Sequence, residues 1–109
     1  MGWKPYEAMS RIEKKMYWAV REETMLHELP WPEVDSPGTT HEVRWPAEDP
    51  AECAAVLIEW FGAGLIAVMT TLDQQALDAS EARRLLSNPA TWTPDHSLVL
   101  SDVGEAGLA

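Results

Sequence analysis

The stretch over residues 49–71, DPAECAAVLIEWFGAGLIAVMTT, is the most apolar part of the chain and constrains the fold more than any other segment. Asp49 is a favourable N-cap and Pro50 suits the first helical position, so a helix is predicted to begin there. Apolar residues then recur every three or four positions and form one broad face: Cys53, Val56, Leu57, Trp60 and Phe61. This face is expected to pack into the core.

Two glycines, Gly62 and Gly64, follow the predicted helix at the point where a left-handed residue commonly ends one. The chain continues as LIAVMTT, a run rich in β-branched residues that favour a strand. Because this run lacks polar alternation, we expect a central strand that is covered on both faces. Helix, tight turn and buried strand are therefore predicted in succession.

Length and composition favour one soluble globular domain over residues 1–109, with a core that needs neither a disulfide nor a metal ion. The single cysteine, Cys53, lies on the apolar helix face and is interpreted as a small buried residue. The sequence has no run of about 18 apolar residues, as a membrane span needs, and no N-terminal signal pattern. A cytoplasmic protein without membrane association is expected.

The formal charge of −10 is distributed unevenly along the chain. Residues 1–21 carry five basic and two acidic side chains, whereas residues 22–109 carry three arginines and sixteen carboxylates. An acidic body repels nucleic-acid phosphates, so binding of nucleic acid through the main part of the chain is not expected. The acidity favours either simple solubility or an acidic surface for a basic protein partner.

Residues 6–27 show the apolar spacing of a long helix, with basic side chains on its other faces. Tyr17, Trp18 and Val20 widen the apolar surface beyond one stripe. A second covered side is therefore indicated, supplied either by the rest of the chain or by a second copy in a homodimer. Four basic residues of this helix are candidate phosphate contacts: Arg11, Lys14, Lys15 and Arg21.

The remaining segments complete a small α+β pattern. Residues 29–38, LPWPEVDSPG, contain three prolines and are predicted to form a loop. Residues 41–45 alternate as a short half-buried strand, and the capping box of Asp78 and Glu81 predicts a third helix. Residues 97–102 form a further strand, followed by a glycine-rich tail without a predicted element. We therefore expect three helices and a small three-stranded sheet.

Three runs within residues 60–108, GLIAVMTT, DASEARRLLSNPATW and SLVLSDVGEAGL, resemble the later half of winged-helix domains. The resemblance covers under half of the chain and implies a winged-helix-like fold, in which the strand after the GLI turn and the final strand form the wing. A DNA-reading member would carry basic residues on its recognition helix and wing. This wing region has Asp95, Asp102 and Glu105 and no basic residue, which leaves Arg83 and Arg84 on the third helix.

Residues with catalytic or metal-binding chemistry are not arranged in a recognisable spacing. His27, His41 and His96 lie far apart, and none forms an HxxxH or HExxH pair. The chain has no phosphate-binding glycine loop and no nucleophile elbow. An enzyme, a metal ion and a cofactor are therefore not expected.

Tryptophan is over-represented, with six in 109 residues. Tryptophan is also enriched at the energetic centres of protein interfaces. Trp3, Trp18 and Trp31 are the candidates for binding a protein partner, and Trp3 and Trp31 are the first that we expect to be partly exposed. The other interpretation is that the tryptophans pack the core from its periphery.

Two functions follow from these features. The sequence favours a non-enzymatic acidic protein-interaction module, such as an adaptor, an inhibitor or an immunity-type protein. The alternative is a winged-helix-like regulator that is linked to nucleic acid through the basic N-terminal helix. Phosphate contacts predict binding to random duplex that weakens steeply with salt, whereas an acidic protein-binding surface predicts none.

Overall fold

Four α-helices and two antiparallel two-stranded sheets make up residues 2–108, the part of the chain that the computed structural model describes. The helices are α1 (Arg11–Arg21), α2 (Pro50–Gly62), α3 (Ala79–Leu86) and α4 (Asp102–Ala106). The strands are β1 (Glu33–Asp35), β2 (Val43–Trp45), β3 (Ile66–Thr70) and β4 (His96–Leu100). Short 3₁₀ turns occupy Tyr6–Ala8, Leu26–Glu28 and Pro89–Thr91. The α+β class expected from the sequence is confirmed.

Helix α2 begins and ends where the sequence predicts. The Asp49 side chain accepts a hydrogen bond from Ala51 N at 2.9 Å and so caps the first turn. Gly64 follows the last turn with a φ of +78°, the left-handed conformation that glycine adopts without strain. Three residues of the predicted apolar face are buried: Cys53, Leu57 and Trp60. This helix therefore supplies one wall of the core.

The core lies between α1, α2, α3 and one face of the pair formed by β3 and β4. Its largest fully buried side chains come from helices, a 3₁₀ turn and a strand: Met16, Leu26, Leu57, Leu86 and Leu98. Each such side chain stabilises the fold by about 1.5 to 3 kcal/mol through removal of apolar surface from water. Residues 49–71 thus pack against an earlier element, α1, and against the later elements α3 and β4.

Strands β3 and β4 pair along five residues, with Ile66 opposite Leu100 and Thr70 opposite His96. Ile66 and Val68 are buried, whereas the alternate residues of β3 are half-buried. Beyond β4 the pairing continues as a single bridge between Met25 and Ser97. On its other edge β3 also has a partner, since Met69 forms one bridge with Ala76, so only the predicted cover of β3 on both faces is wrong.

The predicted three-stranded sheet is also wrong, because β2 does not join β3 and β4. It pairs with β1, and Val34 lies opposite Arg44 in that hairpin. Strand β1 forms inside residues 29–38, which the prolines predict to be a loop. A hairpin between neighbouring segments closes a short loop at a small entropic cost, which explains the local pairing.

The N-terminal helix is shorter than the predicted span of residues 6–27. Ser10 and Glu13 form a capping box at its start, where Ser10 N donates to the Glu13 carboxylate at 2.8 Å and Glu13 N donates to Ser10 Oγ at 3.2 Å. At its end, Glu23 adopts a φ of +55°, which is incompatible with continuing the helix. The segments on either side form only 3₁₀ turns.

Helix α4 forms in the tail from which the sequence predicts no element. Ser101 Oγ accepts a hydrogen bond from Gly104 N at 2.9 Å and donates to Gly64 O, so one hydroxyl links α4 to the turn after α2. A Cβ on Gly104 would lie 1.9 Å from Leu65 O. Glycine at this position is therefore required for α4 to approach that backbone.

Replacement of Gly104 by alanine is expected to lower the free energy of unfolding by about 2 to 3 kcal/mol, because the methyl group meets backbone that cannot move aside. Gly62→Ala is the matched control, since nothing lies within 4 Å of a Cβ there. That variant should be unchanged or more stable by up to about 1 kcal/mol. Urea unfolding measures both, and equal stability of the two variants would contradict the close contact.

Candidate protein-binding site

Residues 29–48, here called the arm, contain the β1–β2 hairpin and are fixed to α1 at both ends by one side chain. The Lys15 ammonium donates to Trp31 O at 2.6 Å and to Pro46 O at 3.0 Å. Lys15 is only 4% exposed. Its burial lowers the pKa of the ammonium from the ordinary value, an effect that the nearby Glu48 carboxylate opposes. Lys15 is therefore a structural residue of the arm.

Glu48 makes a further contact between α1 and the C-terminal end of the arm. Its carboxylate is 2% exposed and accepts two hydrogen bonds from the Arg11 guanidinium, at 2.8 and 2.9 Å. Its backbone N–H donates to Pro30 O at 2.9 Å and closes the base of the arm. Such bidentate pairing is among the stronger polar contacts in proteins. Arg11 and Lys15, two candidate phosphate contacts, are thus already engaged with the arm.

Lys15→Met is expected to lower the free energy of unfolding by about 2 kcal/mol, because the buried Lys15 side chain loses its hydrogen bonds to Trp31 O and Pro46 O. Amide hydrogen exchange in β1 and β2 should accelerate more than exchange in β3 and β4. Lys14→Met is the control, since Lys14 lies over the Tyr6 ring and contacts no part of the arm. Its effect should stay within about 0.5 kcal/mol. Uniform acceleration across the whole chain would contradict a local role for Lys15.

A concave groove of about 320 Å³ lies between the C-terminal end of α1 and the base of the arm. We call it the acidic groove, and its lining residues are Glu22, Glu23, Thr24, Met25, Glu28, Trp31, Pro32 and Glu33. Four carboxylates and no basic side chain line it. Trp31 is 54% exposed, and its ring meets the edge of the His27 ring with the centroids 5.0 Å apart. The groove therefore combines unneutralised negative charge with an accessible aromatic ring.

The electrostatics of the acidic groove are visible in Glu33. Partial burial raises the pKa of Glu33 above its ordinary value, and the carboxylates of Asp35, Glu22 and Glu28 raise it further. The Lys15 ammonium opposes this effect without cancelling it. The ionised form of Glu33 is thus disfavoured in the folded chain.

Glu33→Gln is expected to stabilise the protein at about pH 7, by less than about 1 kcal/mol because solvent screens this exposed group. A raised pKa in the folded state costs stability once the group ionises. The gain should therefore disappear at about pH 4, where Glu33 of the parent protein becomes protonated. Urea unfolding at both pH values checks this. Glu7→Gln, an exposed carboxylate in the N-terminal 3₁₀ turn, serves as control.

A second groove, of about 420 Å³, lies on the arm itself. We call it the valine groove, and its lining residues are Pro32, Glu33, Val34, Arg44, Trp45 and Pro46. Val34 is 39% exposed in it. The Trp45 indole N–H donates to the Asp35 carboxylate at 2.9 Å, and the Arg44 guanidinium donates to the Glu42 carboxylate at 2.7 Å. Pro32 and Glu33 line both grooves, so the two grooves are neighbours on the arm.

Trp3, another candidate for partner binding, is half-buried and serves the fold. Its indole N–H donates to Gly104 O at 2.7 Å, and its ring packs edge-on against Trp60 and Tyr17 with centroids 5.0 and 5.6 Å apart. Trp3 thus fastens the N-terminal segment to α4 and to the core. Tyr6 packs on the same Tyr17 ring at 5.5 Å. The second covered side of α1 is therefore supplied by the chain itself, and the homodimer through α1 stays a prediction.

Trp18 lies on a different surface from the arm. It is 38% exposed, and its indole N–H donates to the Tyr6 hydroxyl at 2.9 Å. The Arg21 guanidinium lies 5.2 Å from the Trp18 ring centroid, and the Lys14 ammonium lies 5.2 Å from that of Tyr6. We call these four residues the basic aromatic patch. Of the residues predicted from sequence, Lys14, Arg21 and Trp18 come together here, whereas Trp31 is on the arm.

Sequence reasoning did not find the carboxylates that accompany Trp31 or the role of Glu48. One available signal was the pair of short runs EVD (33–35) and EVR (42–44), each with a valine between charged residues, around a turn that contains Gly38. That pattern is typical of a hairpin. The grooves themselves depend on which face of α1 meets the arm, and no local pattern specifies that contact.

Other kinds of site receive no support from the described residues. Among residues 2–108, no three His, Cys, Asp or Glu side chains lie close enough together to hold a metal ion. Within the same range, no helix has the length and apolar character to cross a bilayer. Cys53 is fully buried, and its burial raises the pKa of the thiol to about 11. At neutral pH this thiol is therefore protonated and a poor nucleophile.

Comparisons of the chain with protein-family models, with curated proteins and with solved structures give no match. The winged-helix-like fold stays a prediction. Strands β3 and β4, to which that resemblance assigns the wing, pair with each other, and α3 lies between them in the chain. The physical properties of the two grooves and of the basic aromatic patch are thus what indicates a function.

Proposed function

We propose that this chain is a non-enzymatic protein-interaction module that binds a protein partner through the arm. The observation that carries the proposal is Trp31, which is more than half exposed although its backbone is held by the buried Lys15 ammonium. A fixed aromatic side chain loses little conformational entropy when a partner covers it. Tryptophan in such a setting is a common energetic centre of protein interfaces.

The charge around Trp31 indicates the character of the partner. Glu22, Glu23, Glu28 and Glu33 surround it without a neutralising cation in the groove. Complementary charge speeds association and disfavours partners of like charge. An adaptor, an inhibitor or an immunity-type protein that covers a basic surface of its partner fits this arrangement. We infer a cytoplasmic setting for it.

The non-enzymatic part of the proposal has separate support. The only cysteine is buried and protonated at neutral pH, and no metal-binding cluster forms within residues 2–108. The most concave surfaces of the arm contain carboxylates, prolines and a valine. Such residues bind and orient a partner, and they do not form a nucleophile paired with a base.

A second candidate function is favoured by the basic aromatic patch. Lys14 and Arg21 lie over the rings of Tyr6 and Trp18, and Trp18 is partly exposed. Aromatic rings that alternate with cations are typical of surfaces that bind single-stranded nucleic acid by stacking. The net charge of −10 works against this function, because it repels the phosphate backbone.

Affinity capture of partners by the full chain at about physiological salt distinguishes the two functions when nuclease-treated and untreated extracts are compared. Trp31→Ala and Trp18→Ala are matched variants, because each removes a partly exposed tryptophan from one surface. We expect a stoichiometric protein partner that survives nuclease, is lost with Trp31→Ala and is retained with Trp18→Ala. The reverse pattern, with loss on nuclease treatment and with Trp18→Ala, would favour nucleic acid.

A further inference from the structure

The acidic groove and the valine groove share two lining residues, Pro32 and Glu33, and are therefore neighbours on the arm. The first offers carboxylates beside the Trp31 ring. The second offers an apolar surface around Val34, with proline on both sides. The pair therefore presents two chemically different sites side by side on one fixed arm.

We propose that the arm binds an extended segment of its protein partner, with an arginine side chain in the acidic groove and a neighbouring apolar side chain in the valine groove. This inference rests on the proposed function and specifies the chemistry of the bound segment. The two side chains would lie within two or three residues of one another, since an extended chain advances about 3.3 Å per residue.

Charge complementarity selects the occupant of the acidic groove. Glu22, Glu28 and Glu33 crowd one another, and a guanidinium placed among them would relieve that repulsion. Arginine fits better than lysine because its planar group stacks on an indole ring and donates to two carboxylates at the same time. An acidic segment would add to the repulsion and is excluded on the same ground.

The described part of the chain does not supply this cation itself. Lys15 is committed to two carbonyl oxygens below the groove, and Arg11 is committed to Glu48. Arg21 lies over the rings of Tyr17 and Trp18. A partner is therefore the source of the arginine.

The apolar neighbour is indicated by Val34. Val34 is 39% exposed and lines a groove of about 420 Å³ together with Pro32 and Pro46. A leucine-sized side chain laid there would cover apolar surface on both partners, and each buried methylene contributes to affinity. The prolines also keep the groove open, since their rings cannot rearrange to fill it.

The test uses the full chain and synthetic peptides of about ten residues, acetylated and amidated, in which arginine and leucine alternate with one serine between them. Side chains two residues apart project from the same face of an extended chain, so both types can reach the arm together. Matched peptides replace every arginine by lysine, every arginine by glutamine, or every leucine by serine. Isothermal titration at low and physiological salt measures the affinities. We expect the arginine–leucine peptide to bind most tightly and the glutamine peptide to bind at least about tenfold more weakly. The affinity of the arginine–leucine peptide should fall as the salt concentration rises.

Variants of the protein assign the binding to the two grooves. Two variants should each bind the arginine–leucine peptide about tenfold more weakly than the parent protein. They are Trp31→Ala and the double variant Glu28→Gln with Glu33→Gln. Val34→Ser should weaken that peptide but leave the arginine–serine peptide unchanged. Leu72→Ser, which changes a leucine that is 98% exposed outside both grooves, is the control and should have no effect. Circular dichroism confirms that each variant is folded.

Equal affinity for the glutamine and arginine peptides, or an equal loss with Leu72→Ser, would overturn the inference. So would a complete lack of peptide binding while the captured partner still depends on Trp31. In that case the interaction through the arm stands and only the chemistry of the segment is wrong. Tight peptide binding that Trp18→Ala abolishes and Trp31→Ala does not would overturn both proposals.

Discussion

The buried Lys15 ammonium is the contact on which the arrangement of the functional surface depends. It donates to Trp31 O and Pro46 O, one near each end of the arm. These two hydrogen bonds attach the proline-rich arm to α1. Burying an ammonium is costly unless its donors are used, and here two of the three are used. The Arg11–Glu48 pair reinforces the same junction. Two basic residues of α1, Arg11 and Lys15, therefore hold the arm in place.

The tryptophans differ in whether they join segments of the chain or lie exposed on its surface. Trp3 donates to Gly104 O, Trp92 to Leu85 O and Trp45 to Asp35, so these three fasten segments of the chain to one another. Trp31 is the most exposed of the six and lies among carboxylates. The abundance of tryptophan is thus largely structural in this protein, and Trp31 differs from these three because it is 54% exposed.

The acidic groove concentrates negative charge on the surface of the isolated protein. Four carboxylates share one concavity, and the raised pKa of Glu33 reflects both its partial burial and its acidic neighbours. On the proposed function, a cation that entered the groove would remove this repulsion, and part of the binding free energy would come from that relief. The rigid attachment through Lys15 prevents the arm from relieving that cost by moving away.

The sequence by itself determined the elements that depend on local signals. The start of α2 at Asp49, its end before Gly64 and the cap of α3 at Asp78 follow from side chains within a few residues of each boundary. Tertiary structure decided where Trp31 came to lie and which cations remained accessible. Each depends on contacts between residues distant in sequence, such as Lys15 with Pro46, and local patterns carry no information about such contacts.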